Sequence, residues 1–540
     1  MDVSASSLHL NQLAEEAGAA VAAVAPGSAP AAPAPAAPSD ADADAKGDAE
    51  QPKRPRHLGT RRQVLAAVVA ASFHLAVGVA LAFSAVLIPQ IEAPGSDIQV
   101  TPSDSSWLAS ALVLVVPVGA LLAGGAMEWL GRLNTVAAAA LPCAAGWVLI
   151  ATAPDVTSIL VGRLLTGVAA GLGTSAGVVY ITEVAKPELR GSLISICPSL
   201  ASLGMLLVYG EGAVVGWRAA AWSSLAYVLL PVLPVLLWLP ESPSWLVAKG
   251  RTEDAERALA WLTGKQAAAV KQQVASMVKS QDVRAAPANN MRLRLRTFLQ
   301  PCGYKPLLIL FGLFLIQQFS GIYITLFYAV NFFKDVGSSL DPRLATVLVG
   351  AARFTMSLCN TGLLKRFGRR PLCMVSGLGM AACMAVSGYF TLHLRNGGEH
   401  GAWVPVACVL LYVCTSMIGF LNIPWTMTAE LFPTEIRGIA HGIVISVAHL
   451  IMFGAVWSYR SLLLIFGGPH GVQWFFAANS LFGTVFVWLF LPETHKVSLN
   501  DIQDYFFTNT IYITKKKKKQ YENSAQNMAH SLPLMGSAKA

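Results

Sequence analysis

The chain is built from apolar runs that are long enough to cross a lipid bilayer. About 20 consecutive apolar residues span the hydrocarbon core as a helix, and runs of this kind, such as residues 64–88, recur along the sequence. Charged residues make up only 13% of the chain, whereas soluble domains carry about 25%. Short alternating segments typical of membrane strands are absent from these runs. We therefore predict an all-α membrane protein with twelve transmembrane helices.

The runs form two groups of six, separated by a polar stretch. The predicted domains are a disordered N-terminal tail (1–63), a six-helix bundle (64–239), a linker with short helices (240–305), a second six-helix bundle (306–492) and a C-terminal tail (493–540). Loops rich in Lys and Arg tend to stay on the cytoplasmic side of a membrane. Because residues 365–370 hold four basic residues and residues 92–106 hold none, both tails and the linker are expected to be cytoplasmic.

Three short motifs occur twice, in the same order and at nearly constant separation. The pairs are Gly131-Arg132 with Gly368-Arg369, Arg190-Gly191 with Arg437-Gly438, and Leu239-Pro240-Glu241 with Leu491-Pro492-Glu493. Such a repeat indicates that the chain consists of two related halves. Secondary transporters built from parallel repeats bind their substrate between the halves, near mid-membrane.

With these and further motifs, the chain resembles the sugar porter family of the major facilitator superfamily, and most of all the insect facilitated trehalose and glucose transporters. The additional motifs are Gly162-Arg163, Tyr180-Ile-Thr-Glu183, Pro240-Glu-Ser-Pro-Ser-Trp245, Gln317-Gln-Phe-Ser-Gly321, Phe367-Gly-Arg-Arg-Pro371, Pro424-Trp425 and Pro492-Glu-Thr494. The resemblance implies the major facilitator fold. It also implies transport rather than an enzymatic reaction.

Charged residues are expected to form a network on the cytoplasmic side. Its members are Glu128, Arg132, Arg163, Glu183, Arg190, Glu241, Arg369, Arg370, Glu430, Arg437 and Glu493. The resemblance implies ion pairs that hold the two halves together below the site and break when the protein opens inward. Anchoring of helix ends is the alternative. Lys365 stands where the family usually has an acidic residue, so we expect the second half to pair differently.

Uncharged polar and aromatic side chains in the seventh and tenth spans fit a sugar. Sugar hydroxyls donate and accept hydrogen bonds, and the C–H face of the ring packs on aromatic side chains. Gln317, Gln318 and Trp425 supply such groups, and the matching family positions contact sugar. Hydrogen bonds from the glutamines to neighbouring helices are the alternative interpretation.

The resemblance also implies a gate above the site. Phe327 and Tyr328 resemble the aromatic pair that closes over bound substrate, and Pro424, beside Trp425, is grouped with them as a gating residue. Packing of aromatic side chains in the core is the alternative.

Other pocket positions depart from the glucose-transporter pattern. Tyr323 replaces a usual Asn in span seven, Arg353 takes a position in span eight that is often Asn, and His449 replaces a Trp in span eleven. Ionisable groups inside spans are functional candidates. Arg353 is expected to bond a sugar, to attract an anionic substrate or to pair with a backbone carbonyl. Two roles are considered for His449, contact with the substrate and hydrogen-bonded packing against neighbouring helices.

These observations predict facilitated uniport of trehalose or a hexose by alternating access in the plasma membrane. Proton symporters of the family carry an Asp in the first span, and residues 64–88 contain no Asp or Glu. The chain has no phosphate-binding loop of the Gly-x-x-x-x-Gly-Lys-Ser/Thr type, so ATP is not implied. The alternatives are a sugar sensor without transport and an organic-anion facilitator anchored by Arg353. The expected partners are sugar and bilayer, with no nucleic acid, cofactor or metal.

Overall fold

The computed structural model describes residues 57–264, 266–285, 297–337, 340–398, 400–433, 436–495, 497, 499–509 and 511. Within these residues, the regular structure is helical, and twelve helices are long and apolar enough to cross a bilayer. The predicted fold class and number of spans are confirmed. Most of the predicted N-terminal tail, the middle of the linker and the Lys515–Lys519 region of the C-terminal tail lie outside the described residues.

The spans follow the order expected from the sequence. In the first half they are His57–Ala71 with Phe73–Ile91 (span one), Pro102–Trp129 (two), Arg132–Ala151 (three), Val156–Val184 (four), Pro187–Ile194 with Ile196–Val214 (five) and Trp217–Trp238 (six). In the second half they are Pro301–Phe319 with Ile324–Phe327 (seven), Pro342–Arg366 (eight), Arg369–Arg395 (nine), Val404–Ile418 with Ile423–Glu430 (ten), Arg437–Trp457 (eleven) and Pro469–Phe490 (twelve). Short helices Ala329–Asp335 and Tyr459–Ile465 extend beyond spans seven and eleven, and Leu499–Thr508 follows span twelve.

Three linker helices cover one end of the bundle, which we call the linker face; the other end is the far face. The linker helices are Pro243–Ala248, Thr252–Thr263 and Ala267–Ala285. The guanidinium of Arg62 donates to the carbonyl of Trp261 at 3.0 Å and lies 5.8 Å from the centre of its indole ring. The sequence predicts that span one starts near residue 64. The helix instead begins at His57, so Arg62 belongs to its first turns.

The two halves meet along a seam formed mainly by span five against span eight and span two against span eleven. Span eight faces span five with small and polar residues at helical spacing, namely Gly350, Ser357 and Thr361. The Ser357 and Ser199 hydroxyls lie 3.1 Å apart, and the Thr361 hydroxyl donates to Ser195 Oγ at 3.0 Å. Small residues let the backbones of two helices approach closely in a membrane.

Spans seven and ten are each interrupted within the membrane-spanning region. Span seven turns between Phe319 and Ile324, and span ten turns between Ile418 and Ile423. The turn in span seven depends on Gly321, whose φ of +92° is rarely adopted by other residues. A Cβ at Gly321 would lie 2.4 Å from the ring of Phe476, so the position also lacks space for a side chain.

We predict that Gly321→Ala destabilises the protein by about 2–5 kcal/mol, because overpacking of about 1–3 kcal/mol adds to backbone strain of about 1–2 kcal/mol. Gly337→Ala is the matched control, since Gly337 has a φ of +75° but nothing within 4 Å of its added Cβ. The midpoint of thermal unfolding in detergent should fall clearly more for Gly321→Ala. Equal midpoints for the two variants would contradict the steric part of this account.

Candidate substrate-binding site

Gln317 stabilises the break in span ten. Pro424 has no N–H, so the carbonyl of Phe420, four residues earlier, lacks its helical donor. The amide nitrogen of Gln317 donates to Phe420 O at 2.6 Å and to Leu421 O at 2.9 Å, and its oxygen accepts from Gln318 Nε2 at 3.2 Å. The nitrogen and the oxygen of this amide are therefore both hydrogen-bonded to protein. This agrees with the alternative given above, in which the glutamines bond to neighbouring helices.

Gln318 is placed differently from its neighbour. Its side chain is fully buried, and its Oε1 has no hydrogen-bond partner within the part of the chain that the structure describes. An unsatisfied buried acceptor costs about 1–3 kcal/mol. A ligand hydroxyl that donates to Gln318 Oε1 would remove this cost, which makes Gln318 the stronger candidate of the two glutamines.

An aromatic wall lies beside the break in span ten. The Trp425 ring packs edge-on against Phe314, with ring centres 4.9 Å apart, and against His449 at 5.4 Å. His449 Nδ1 lies 2.8 Å from the carbonyl oxygen of Ile445. Because a carbonyl only accepts, Nδ1 is the donor, and in the neutral ring Nε2 is left as an acceptor.

Arg353 and Tyr323 complete the polar part of the site. The Arg353 guanidinium is influenced electrostatically by the hydroxyls of Tyr209 and Tyr323, and the residue is buried, with 7% exposure. The Tyr209 hydroxyl donates to Leu326 O at 2.8 Å, which ties span five to span seven. The structure thus brings Arg353 and Tyr323 to the seam between the halves.

The predicted gating pair is buried where the halves meet. The carbonyl of Phe327 accepts a hydrogen bond from Ser84 Oγ at 3.1 Å, and the Tyr328 ring lies 4.8 Å from Tyr459. Both residues are 1% exposed, so this part of the seam is closed. Pro424, which was grouped with them, lies instead at the break in span ten.

An ion pair on the far face links the two halves. Glu92, at the end of span one, pairs with Arg460, which follows span eleven, and accepts from Asn331 Nδ2 at 3.1 Å. It also accepts from Ser105 in span two at 2.5 Å. Sequence reasoning missed this pair, because neither residue belongs to a repeated motif. The available signal was an acid directly after span one and a base three residues after span eleven.

A second carboxyl group lies near this ion pair. Partial burial, with a smaller contribution from Glu92, raises the pKa of the Asp335 carboxyl to about 6, and Arg460 and Lys334 oppose the shift. As pH falls through about 6, Asp335 becomes neutral. Asp335 then no longer competes with Glu92 for Arg460.

On the linker face, the first half contains a cluster centred on Glu183. Arg132 donates to Glu183 through Nε and Nη2, at 2.8–3.1 Å, and through Nη1 to Met127 O at 3.1 Å. The hydroxyl of Ser242 donates to the same carboxylate. A planar guanidinium that makes two parallel bonds to a carboxylate is a geometrically specific pair.

The second half contains the same cluster. Arg369 Nη2 donates to Glu430 at 3.0 Å, its Nη1 donates to Leu364 O at 3.2 Å, and the Thr494 hydroxyl donates to Glu430 at 2.5 Å. The Arg–Glu pair is less extensive here, because Arg369 Nε has no hydrogen-bond partner within the described residues and Nη1 lies 2.5 Å from His495 Nδ1. That Lys365 makes the second half pair differently stays a prediction. Both repeats nevertheless combine an Arg, a Glu and a hydroxyl in one cluster.

The repeated Pro-Glu motif caps the start of a span in each half. Glu241 accepts from the backbone N–H of Leu133 at 3.0 Å, at the start of span three. Glu493 accepts from the N–H groups of Arg369 at 3.0 Å and Arg370 at 3.1 Å, at the start of span nine. The free N–H groups and the dipole of a helix N-terminus favour a negative charge there.

Several network residues lie elsewhere than expected. The two ion pairs join helices of the same half, so they form no latch between the halves in this conformation. The side chain of Arg437 donates to Phe432 O, Arg190 is exposed, and Glu128 accepts through its backbone carbonyl from Trp245 Nε1.

Arg163 does not belong to the linker-face network. It donates to the backbone carbonyls of Leu108 at 3.1 Å, of Ala80 and of Ala109 at 3.5 Å, in spans one and two. Arg163 lies in the far-face part of span four, and 20 residues of helix separate it from Glu183 by about 30 Å. Its role is to join three helices of the first half.

The fold and this site define a multi-pass membrane transporter with two six-helix halves. A sequence profile described as sugar (and other) transporter matches residues 64–506. The chain is 34% identical, over 448 residues, to the facilitated trehalose transporter Tret1 of Culex quinquefasciatus and to the facilitated trehalose transporter Tret1-2 homolog of Drosophila sechellia. The alignments cover 82% of this chain and 86% and 91% of those proteins. The chain belongs to the sugar transporter family.

Solved structures share the fold. The xylose transporter XylE from E. coli in a partially occluded inward open conformation superposes with a TM-score of 0.65 at 22% identity, over 81% of this chain and 99% of that chain. XylE bound to 6-bromo-6-deoxy-D-glucose gives 0.65 at 23% identity, over 84% and 100%. The major facilitator fold is thereby confirmed, and the relatives are named as transporters rather than enzymes, as predicted.

We predict that loss of the far-face ion pair loosens the seam. Glu92→Gln and Arg460→Gln should each raise the rate at which a thiol reagent labels a cysteine placed at the buried Ser106, by about two- to fivefold, since a partly exposed pair contributes about 1 kcal/mol or less. The measurement uses purified protein in which the native cysteines are replaced by alanine. The double variant should label no faster than either single variant, because both remove the same interaction. Additive effects would contradict this assignment.

Proposed function

We propose that this protein moves a sugar, trehalose or a hexose, down its concentration gradient by alternating access. The observation that carries the proposal is the open acceptor of Gln318, which lies one helical turn after Phe314, the residue that packs on Trp425 in the aromatic wall. An amide acceptor supports hydroxyl recognition, and an indole ring supports packing against the C–H face of a sugar. The similarity to facilitated trehalose transporters points to the same class of cargo.

We also propose that the linker face lies in the cytoplasm of a cell whose plasma membrane holds the protein. The basic loop at 365–370 is at this end of the bundle, and the loop at 92–106, which has no basic residue, is at the far face. This distribution follows the tendency of basic loops to remain inside.

Uniport is supported by the positions of the carboxylates. Span one has no Asp or Glu between residues 64 and 88. Glu211 lies in span five, but both of its oxygens accept hydroxyl hydrogen bonds from span six, from Ser223 and Tyr227, each at 2.5 Å. This carboxylate therefore stabilises the packing of two helices within the first half.

Transport by purified protein in liposomes tests the proposal. Uptake of labelled trehalose or glucose should exceed that of empty liposomes, and Gln318→Ala and Trp425→Ala should each reduce it at least about tenfold, since each removes a contact of roughly 1.5 kcal/mol or more. The matched controls are Gln473→Ala, a buried glutamine that accepts from Thr391, and Trp403→Ala, an exposed tryptophan. Both controls should keep most of the activity.

Two other results decide between the alternatives. Binding of sugar without uptake would favour the sensor. Uptake that appears only when a proton gradient is imposed would contradict uniport, and Glu211→Gln would then be the first variant to examine.

A further inference from the structure

Arg353 lies on the face of span eight that meets the other half of the protein. Gly350, one turn before it, would place an added Cβ 3.0 Å from the ring of Tyr209 in span five. Ser357, one turn after it, has its hydroxyl 3.1 Å from that of Ser199, also in span five. Positions three and four apart share one face of a helix. Arg353 is therefore at the seam, between the two halves.

The arginine also adjoins the candidate sugar site. The groups that act electrostatically on its guanidinium are the hydroxyls of Tyr209 and Tyr323. Tyr323 belongs to the turn of span seven that follows Gln318, and its hydroxyl interacts with Trp425. The guanidinium and the sugar-facing groups thus border a common region.

The positive charge of Arg353 has no negative partner within the described residues. Its Nε is buried without a hydrogen-bond partner, and no carboxylate is among the groups that act on it. Arg163 provides the contrast, because it is equally deep in the bundle but donates to three backbone carbonyls. A charge inside a membrane protein normally pairs with another group or marks a substrate pathway.

We propose that Arg353 is the anchor for a carboxylate group on the sugar, so that the cargo of this site includes hexuronates. This proposal rests on the proposed function, since it assumes that the site holds a sugar. The planar guanidinium matches a carboxylate through two parallel hydrogen bonds. Gln318 and Trp425 then bind the hydroxyls and the apolar face of the same ring.

The charge balance selects a carboxylate over a phosphate ester. One guanidinium neutralises one carboxylate, and the pair can be transferred into the closed seam without net charge. A phosphate monoester carries a charge of about −1.5 to −2 near pH 7, which leaves excess negative charge within the spans. Glucose 6-phosphate is therefore expected to be excluded.

Uptake by liposomes that contain the full-length protein tests the proposal with labelled glucuronate, glucose and glucose 6-phosphate. Glucuronate should enter, and unlabelled glucuronate should compete with labelled glucose, because both occupy one site. Arg353→Gln should lower the ratio of glucuronate to glucose uptake by at least about tenfold, the effect of a charge-assisted hydrogen bond. Arg343→Gln is the matched control, since Arg343 is an exposed residue of the same helix and should leave the ratio unchanged.

The outcomes separate this proposal from the one on which it rests. If the protein takes up glucose or trehalose but neither transports nor is inhibited by glucuronate, the carboxylate anchor is refuted and the sugar transporter stands. An unchanged ratio in a folded Arg353→Gln variant also refutes it. If that variant does not fold, the midpoint of thermal unfolding of the native protein decides the question. A larger rise with glucuronate than with glucose supports the carboxylate anchor, and no larger rise refutes it. Failure to transport or bind any of these sugars refutes both proposals.

Discussion

Hydrocarbon offers no partner to a polar backbone group, so a break in a membrane-spanning helix requires partners from within the protein. The break in span ten depends on this constraint, because Pro424 deprives the Phe420 carbonyl of its donor and the Gln317 amide replaces it. The N–H of Phe420 is bonded in turn to Ser376 Oγ at 3.0 Å. In span seven, the Tyr412 hydroxyl donates to the carbonyl of Ser320 at 2.7 Å. These bonds hold the two breaks together, and the candidate site lies beside them.

The two halves repeat each other at the linker face but differ at the site. Each half carries an Arg–Glu–hydroxyl cluster and a carboxylate cap, so the repeat is recognisable in contacts as well as in motifs. Spans one and five of the first half are interrupted only at single residues, Ser72 and Ser195, whereas spans seven and ten of the second half contain four-residue turns beside the candidate site. The first half contributes mainly Tyr209 and the hydroxyls of span five. A site built chiefly from one half lets the other half close over the cargo.

Sequence reasoning was reliable where the signal is local or repeated. Apolar length predicted the spans, because the bilayer sets that length, and the repeated motifs predicted which charges lie near the linker. It failed for contacts that leave no pattern in the sequence. Arg163 donates to backbone carbonyls, which every residue has, so its partners cannot be read from residue types. Glu92 and Arg460 are 368 positions apart. Gln317 and Gln318 could not be told apart either. Adjacent helical residues point about 100° apart, so their roles depend on how span seven is rotated.

The locations of the ion pairs suit a protein whose halves rock as rigid bodies. The linker-face clusters lie within each half, so rocking of the halves as rigid bodies need not break them. What changes between conformations is then the seam: the far-face ion pair, the hydroxyl contacts of spans five and eight, and the packing of Phe327 and Tyr328. These are contacts of about 1 kcal/mol each. A small difference between states is what exchange requires, because a carrier that strongly prefers one conformation spends too little time in the other to load or release its cargo.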